Sequence, residues 1–135
     1  KKENFETSLS LLRTRNRPVR VLNSVSEETL WSAYSLARFT VFVSMTEGYG
    51  LPAAESISMG TPVVLSRHGS MREIGIGGGA EFVDAYNVED IAAGMRKLLV
   101  NDEYLAFLRR QALSRVDKTW DEYAEQTWKW LALGE

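Results

Sequence analysis

The sequence predicts an α/β fold, a Rossmann-like parallel sheet with helices on both faces. Three observations carry that expectation. Short β-branched runs alternate with stretches of helical spacing. Gly and Pro mark the changeovers, and two of the runs are apolar almost without a break. Alternation of this kind builds parallel strands joined by crossover helices. Unbroken apolar runs suit strands covered on both faces.

The elements follow in order. Asn4–Leu12 reads as a short helix, and RTRNRP, Arg13 to Pro18, as a basic, solvated turn that includes Arg15 and Arg17. VRVLN, Val19 to Asn23, has the β-branched content of a strand. Ser24 or Ser26 caps the next helix, and Ser24-x-x-Glu27 fits a capping box. Leu30, Ala33, Tyr34 and Ala37 then recur at helical spacing. TVFVS, Thr40 to Ser44, is an apolar strand expected to be covered on both faces. A helix opens at Pro52, since Pro suits the first helical turn, and stops at Gly60.

PVVLS, Pro62 to Ser66, is a further buried strand. A short helix follows, with Ser70-x-x-Glu73 as a second capping box. AEFVD, Ala80 to Asp84, is a fourth strand. Asn87 caps a helix with a stripe of Ile91, Met95, Leu98 and Leu99. Asp102 opens another, with Leu105, Leu108, Ala112 and Val116 inward. Thr119-x-x-Glu122 caps the last, which carries Ala124, Trp128 and Leu131 on one face.

Composition narrows the function classes. The 135 residues suffice for one domain. A formal charge of -2 gives no electrostatic case for nucleic acid or an anionic membrane as the main partner. Without cysteine there is neither a disulfide framework nor a thiolate metal site. His68 is the single histidine and cannot build a zinc site alone. No apolar run approaches the roughly 18 residues that span a bilayer. KKENFETSLS at the start lacks the apolar core of a signal peptide. A soluble intracellular domain is expected. The absence of an initial Met, with an opening in mid-pattern, suggests a fragment of a longer protein.

The chemistry concentrates in TEGYGLPAAES, Thr46 to Ser56. In a parallel sheet, ligands sit beyond the carboxyl ends of the strands, and this loop follows Thr40–Ser44 directly. Gly48 and Gly50 open backbone angles closed to other residues, so peptide N–H groups can turn toward a ligand. The helix starting at Pro52 offers unpaired N–H groups and a partial positive charge, a seat for phosphate. Ala53 and Ala54 leave room for close approach. Glu47 and Glu55 stand at the two ends, each with two oxygens that accept from hydroxyls. A ligand with hydroxyls at both ends and phosphate between them fits, and a sugar nucleotide is such a ligand. A purely structural reading stands beside this one. A Glu near a helix start gains about 0.3–1 kcal/mol from the dipole, and Gly-rich strand-to-helix turns recur in doubly wound folds.

Glu47-Gly48-Tyr49-Gly50-Leu51-Pro52-x-x-Glu55 resembles the E-x7-E signature of the retaining GT-B glycosyltransferases of group 1, family 4, often EGFGLP-x-x-E. The likeness extends along the chain. Ser26-Glu27-Glu28-x-Leu30 with Tyr34 and Ala37 is similar to the family's helix before this strand. Gly60-Thr61-Pro62-Val63-Val64 resembles its G-x-P-V-V strand. Gly69-Ser70-Met71-Arg72-Glu73 resembles its G-S-x-x-E turn, and Thr119-Trp120 the start of its closing helix. The resemblance runs from about Val19 to Leu131 in order.

The resemblance implies that the chain is the nucleotide-sugar-binding, C-terminal part of such an enzyme, with the N-terminal acceptor domain absent. Glu47 would hold hydroxyls of the donor sugar as a positioning and electrostatic residue, and the backbone of Gly48, Tyr49 and Gly50 would grip that sugar. N–H groups near Leu51 and Ala53 would touch the diphosphate, and Glu55 would accept from ribose. No cofactor or metal is implied. The donor is a nucleoside diphosphate sugar of mannose or glucose type, and the acceptor a glycan or lipid-linked molecule, as in polysaccharide biosynthesis. A cytoplasmic location is implied, with room for association of the full-length protein with the inner face of the cell membrane. The chain departs from the family pattern at Val43-Ser44, at Ser56-Ile57 and at Asn23. The family's upstream Arg and Lys, which neutralise the diphosphate, have no counterpart in Arg13, Arg15 or Arg17. The 135 residues alone are therefore expected not to turn over substrate.

A second class remains open, a non-catalytic Rossmann-like module that binds a nucleotide or a partner. A nicotinamide-dependent enzyme is a weaker reading. Gly75-Ile76-Gly77-Gly78-Gly79-Ala80 matches G-x-G-x-x-A, but it precedes a strand where a dinucleotide fingerprint must follow one. His68 reads as an exposed loop residue, near enough to a strand's carboxyl end to approach a ligand. Trp130 falls off the apolar stripe of the last helix, and Trp130 or Tyr123 is expected to be exposed.

Overall fold

A computed structural model describes residues 2–15, 18–116 and 119–134, with the side chains of residues 2–4 and of Trp120 excluded. The chain divides into two compact units, Lys1–Leu30 and Trp31–Glu135.

In the first unit, α1 runs over Lys2–Thr14, longer at both ends than the expected Asn4–Leu12. Its last turn is closed by the Thr14 hydroxyl and the Arg15 amide, both donating to the Leu11 carbonyl. The basic turn falls partly on residues 16 and 17, which lie outside the described residues. The strand expected at Val19–Asn23 is not formed. Its side chains are mostly exposed, with Leu22 open to solvent. β-branched content favours a pleated, half-buried surface, and among the described residues of this unit nothing is buried that would supply one.

Helix α2, Glu27–Leu36, begins in the first unit and ends in the second. Its cap is Ser26, whose Oγ accepts from the Thr29 amide at 3.2 Å. The alternative Ser24 box is not the one that starts the helix. α2 buries no residue fully, and Ala33 of its expected stripe is exposed.

The second unit is built on a parallel sheet ordered β1-β2-β3, with β1 at Thr40–Phe42, β2 at Val63–Ser66 and β3 at Ala80–Val83. Val64 sits level with Val41 on one side and with Glu81 on the other. β2 is the central strand and is buried throughout, as its apolar run predicts. Successive residues of a strand face opposite ways, so β2 feeds two cores. Val63 and Leu65 pack with Ala53, Ile57, Met71, Ile74 and Ala112. Val64 packs with Val83, Leu98, Leu105 and Leu108.

Helix α3, Leu51–Ser58, and helix α4, Gly69–Ile76, supply the first core. Helices α5, Val88–Val100, and α6, Asp102–Leu113, supply most of the second. The fold is the expected α/β, Rossmann-like arrangement.

Two strand expectations need correction. Among the described residues three strands form where four were expected, and β1 is an edge strand of three residues whose Val41 remains 41% exposed. An apolar run shows that a strand can be covered on both faces. It does not show that a helix lies over each.

The caps and stops divide similarly. Asn87 caps α5 through the Glu89 and Asp90 amides, and Asn101 caps α6 through the Tyr104 amide. α3 ends before Gly60, which takes φ +75°. The second capping box is absent: α4 starts at Gly69, its N-cap is His68 without a side-chain bond, and the Ser70 hydroxyl serves elsewhere. Leu99 and Val116 were placed inward by spacing, but both are exposed, Val116 to 96%.

Helix α7, Trp120–Leu133, carries the expected capping box. The Glu122 amide donates to Thr119 Oγ1 at 3.2 Å, and the Thr119 amide donates to the Glu122 carboxylate at 2.7 Å. Its apolar stripe is not buried. Trp128 and Leu131 are each 68% exposed, alongside Tyr123 and Trp130, which were expected to be open. Periodicity marks the face a helix can bury, and the covering surface must come from elsewhere.

Candidate functional site

Every loop leaving the carboxyl end of a strand in the second unit reaches the same end of the sheet. The loop after β1 holds Glu47, Gly48 and Tyr49 and leads into α3 through Gly50. Gly50 is the N-cap of α3, with φ +105°, a conformation that favours glycine. It is also packed: a Cβ there would lie 2.0 Å from the Met71 methyl. The turn therefore needs glycine for both its backbone angle and its fit against α4.

The loop after β2 is joined to the loop after β1. The Ser70 hydroxyl donates to the Glu47 carbonyl at 3.0 Å, and Ser44 donates to the Thr46 carbonyl at 3.2 Å. These bonds fix the backbone from which the Glu47 side chain projects. The loop after β3 closes the end. His68 Nε2 is 3.6 Å from Asp84 Oδ1, and its ring lies 6.3 Å from that of Tyr86. Asp84 Oδ1 accepts from the Tyr86 amide at 2.9 Å. The Asp84 amide donates at 2.7 Å to Asp90, which also pairs with Arg67. His68 is exposed, as its loop position implied.

Two cavities open here. One, of about 450 Å³, is lined by Phe42, Glu47, Tyr49, Gly50, Leu51 and Pro52. The other, of about 210 Å³, is lined by Ser44, Met45, Thr46 and Glu47 from one loop and by His68, Gly69, Ser70 and Met71 from the next. Glu47 belongs to both. The first is a shallow depression open to solvent, and it sits at the start of α3, where the helix dipole is positive.

Not every expected residue joins it. Ala53 is fully buried, and its amide donates to the Gly50 carbonyl at 3.0 Å. Glu55, the fifth residue of α3, lines neither cavity. It is half-buried, and Tyr34 of α2 donates its hydroxyl to Glu55 Oε2 at 3.1 Å. Burial, then the Glu55 bond and charge, push the Tyr34 pKa up to about 12.

Sequence reasoning placed Tyr34 only on a helical stripe. It also missed a buried polar knot behind Glu55. Ser56 Oγ lies 2.7 Å from Thr40 Oγ1 and donates to the Thr61 carbonyl at 3.0 Å. Thr61 Oγ1 donates to the Tyr34 carbonyl at 2.7 Å. The departure at Ser56 was the available signal, since a hydroxyl in an otherwise apolar position needs a partner when buried.

Among the described residues, no group of three or more His, Asp or Glu side chains converges as a metal site would require. No helix among them is long and apolar enough to cross a membrane.

Comparison with known proteins gives the lineage. The family described as Glycosyl transferases group 1 matches residues 1–115. The chain is 32% identical over 115 residues to the O-antigen chain mannosyltransferase B of Escherichia coli, covering 84% of this chain and 30% of that protein. It is 32% identical over 114 residues to the mannosylfructose-phosphate synthase of Agrobacterium fabrum, covering 82% and 24%. It is 31% identical over 115 residues to the MMP alpha-(1->4)-mannosyltransferase of Mycolicibacterium hassiacum, covering 81% and 28%. The chain thus spans less than a third of the length of these relatives. No solved structure gives a significant match. With its parallel sheet and a strand-to-helix loop that opens on a cavity, the chain belongs to the glycosyl transferases of group 1.

Proposed function

We propose that this chain is the donor-binding part of a retaining glycosyltransferase that moves a hexose from a nucleoside diphosphate sugar to a glycan or lipid-linked acceptor. The observation that carries the reading is the cavity lined by Glu47, Tyr49, Gly50 and Leu51 at the start of α3. A helix start favours negative charge, which suits the diphosphate. Glu47 in the lining suits the sugar hydroxyls, because a carboxylate accepts from two donors at once. Two of the relatives are named as mannosyltransferases and one as a mannosylfructose-phosphate synthase, which supports a mannose-type donor.

On this reading Glu47 orients the sugar and stabilises charge that develops at the anomeric carbon. The departing phosphate takes the acceptor's proton on the same face, and the anomeric configuration is kept. No metal is required. Gly48, Tyr49 and Gly50 grip the sugar through their backbone, N–H groups near Leu51 touch the diphosphate, and Glu55 accepts from ribose. The acceptor is held by a further domain of the full-length protein, in the cytoplasm and at the inner membrane face when the acceptor is lipid-linked.

The test is a titration of the full-length protein with UDP-, GDP- and ADP-sugars, followed by transfer assays with and without EDTA. One donor is expected to bind. Glu55→Ala should weaken it, and Glu47→Gln should reduce transfer more than binding. Absence of binding by every nucleotide sugar refutes the reading and leaves the non-catalytic module.

A further inference from the structure

The bond from Tyr34 to Glu55 joins residues 21 positions apart, and Tyr34 lies outside the loop that carries the other candidate site residues. Its surroundings are built to hold it there. Thr61, only 1% exposed, donates to the Tyr34 carbonyl at 2.7 Å. The Thr61 amide donates at 2.9 Å to the carbonyl of Ser56, the residue after Glu55. The Trp31 ring packs 6.0 Å from the Tyr34 ring. Tyr34, Thr61 and the Glu55-Ser56 turn of α3 thus form a closed circuit of hydrogen bonds.

A phenol has one proton to give, and Tyr34 gives it to Oε2. A tyrosine keeps that proton throughout the neutral range, and burial first, then Glu55, pushes the Tyr34 pKa further up, to about 12. A carboxylate has about four lone-pair sites on two oxygens. Tyr34 takes one and leaves both oxygens able to accept more. An unheld carboxylate turns freely about its last torsion, which is broad and two-fold. Accepting from two adjacent hydroxyls at once requires that the plane be fixed.

We propose that Tyr34 is a positioning residue, whose hydroxyl fixes the Glu55 carboxylate so that it accepts both hydroxyls of a ribose and selects ribonucleotides over deoxyribonucleotides. The inference rests on the reading of Glu55 as the ribose acceptor. A deoxyribose supplies one hydroxyl to a carboxylate already oriented for two, and the second acceptor is left unpaired.

The experiment titrates the full-length protein with UDP, GDP and ADP and with their 2′-deoxy and 3′-deoxy counterparts. The native protein should prefer the ribonucleotide by roughly tenfold, the worth of about one good hydrogen bond. Tyr34→Phe should shrink that preference toward unity. Adding Tyr34→Phe to Glu55→Ala should change nothing further, because the two act as one unit. Equal weakening of ribo and deoxy forms by Tyr34→Phe overturns the proposal, as does a full additional effect on top of Glu55→Ala. If Tyr34→Phe does not fold by circular dichroism, Thr61→Val removes the bond to the Tyr34 carbonyl. It should also lower the preference, and an unchanged preference there overturns the proposal. If no nucleotide binds, or if Glu55→Ala keeps the preference, the ribose reading itself fails and this inference with it. If Glu55→Ala abolishes the preference while Tyr34→Phe keeps it, only this inference fails.

Discussion

The hydroxyl of Ser70 donates to the carbonyl of Glu47 across 3.0 Å, so the first turn of α4 holds the loop that follows β1. The two residues lie 23 positions apart, and the bond sets where the Glu47 side chain starts. Ser70→Ala removes it without emptying any core. The expected outcome is a small stability change, about 0.5–1.5 kcal/mol for one hydrogen bond. Donor affinity should fall several-fold through loosening of the loop. Thermal melting read against titration of the donor separates the two effects.

Gly50→Ala should be costly. The backbone at φ +105° disfavours any side chain, and the new methyl meets the Met71 side chain, itself 2% exposed. Strain of this kind costs about 1–3 kcal/mol, and overpacking adds a comparable amount of about 1–3 kcal/mol. Urea denaturation should show the midpoint falling with little change in slope. Donor binding should fall as well, because α3 begins at this residue.

Leu65→Ala tests the central strand. Leu65 is fully buried and belongs to the core between the sheet and helices α3 and α4. A cavity left by a buried leucine costs about 2–5 kcal/mol. The loss should appear in chemical denaturation, with residual secondary structure followed by circular dichroism.

Alkaline pH should weaken the fold. The Tyr34 pKa rises from the ordinary 10.0 to about 12 on folding, through burial first and then Glu55. The unfolded chain therefore loses that proton before the folded one does. The stabilisation is fully present below pH 10 and is lost as pH rises toward 12. Tyr104 is shifted upward in the same sense, by burial first and then by its bond to Glu81. Burial alone would lower the Lys97 pKa, but the bonds to Glu81 and Tyr104 raise it on balance. Melting temperature followed from neutral pH to 12 should fall across this window. Tyr34→Phe should flatten part of the slope and leave the part that belongs to Tyr104 and Lys97.

The candidate site was partly legible in the chain. Glu47, Gly48, Tyr49 and Gly50 are consecutive, and a loop between a strand and a helix keeps such residues together wherever the sheet places it. Their meeting with Ser70 was not legible, because Ser70-x-x-Glu73 fits a local capping box equally well. Nor was the place of Glu55, whose partner Tyr34 is a helix away. Side-chain spacing shows which face a residue occupies, and the neighbour on that face comes from another element.

Local chemistry along the chain set the alternation of strands and helices, the buried run of β2 and the caps at Asn87 and Thr119. Each is a local matter of periodicity, backbone angle or a hydroxyl within reach of the next turn. Long-range packing left Val19–Asn23 without a strand, Val41 uncovered on an edge, and Trp128 and Leu131 in solvent. Burial belongs to a pair of surfaces, and a sequence pattern describes one of them. The bonds from Ser70 to Glu47 and from Tyr34 to Glu55 are tertiary for the same reason, since each closes between segments that meet only once the sheet has formed.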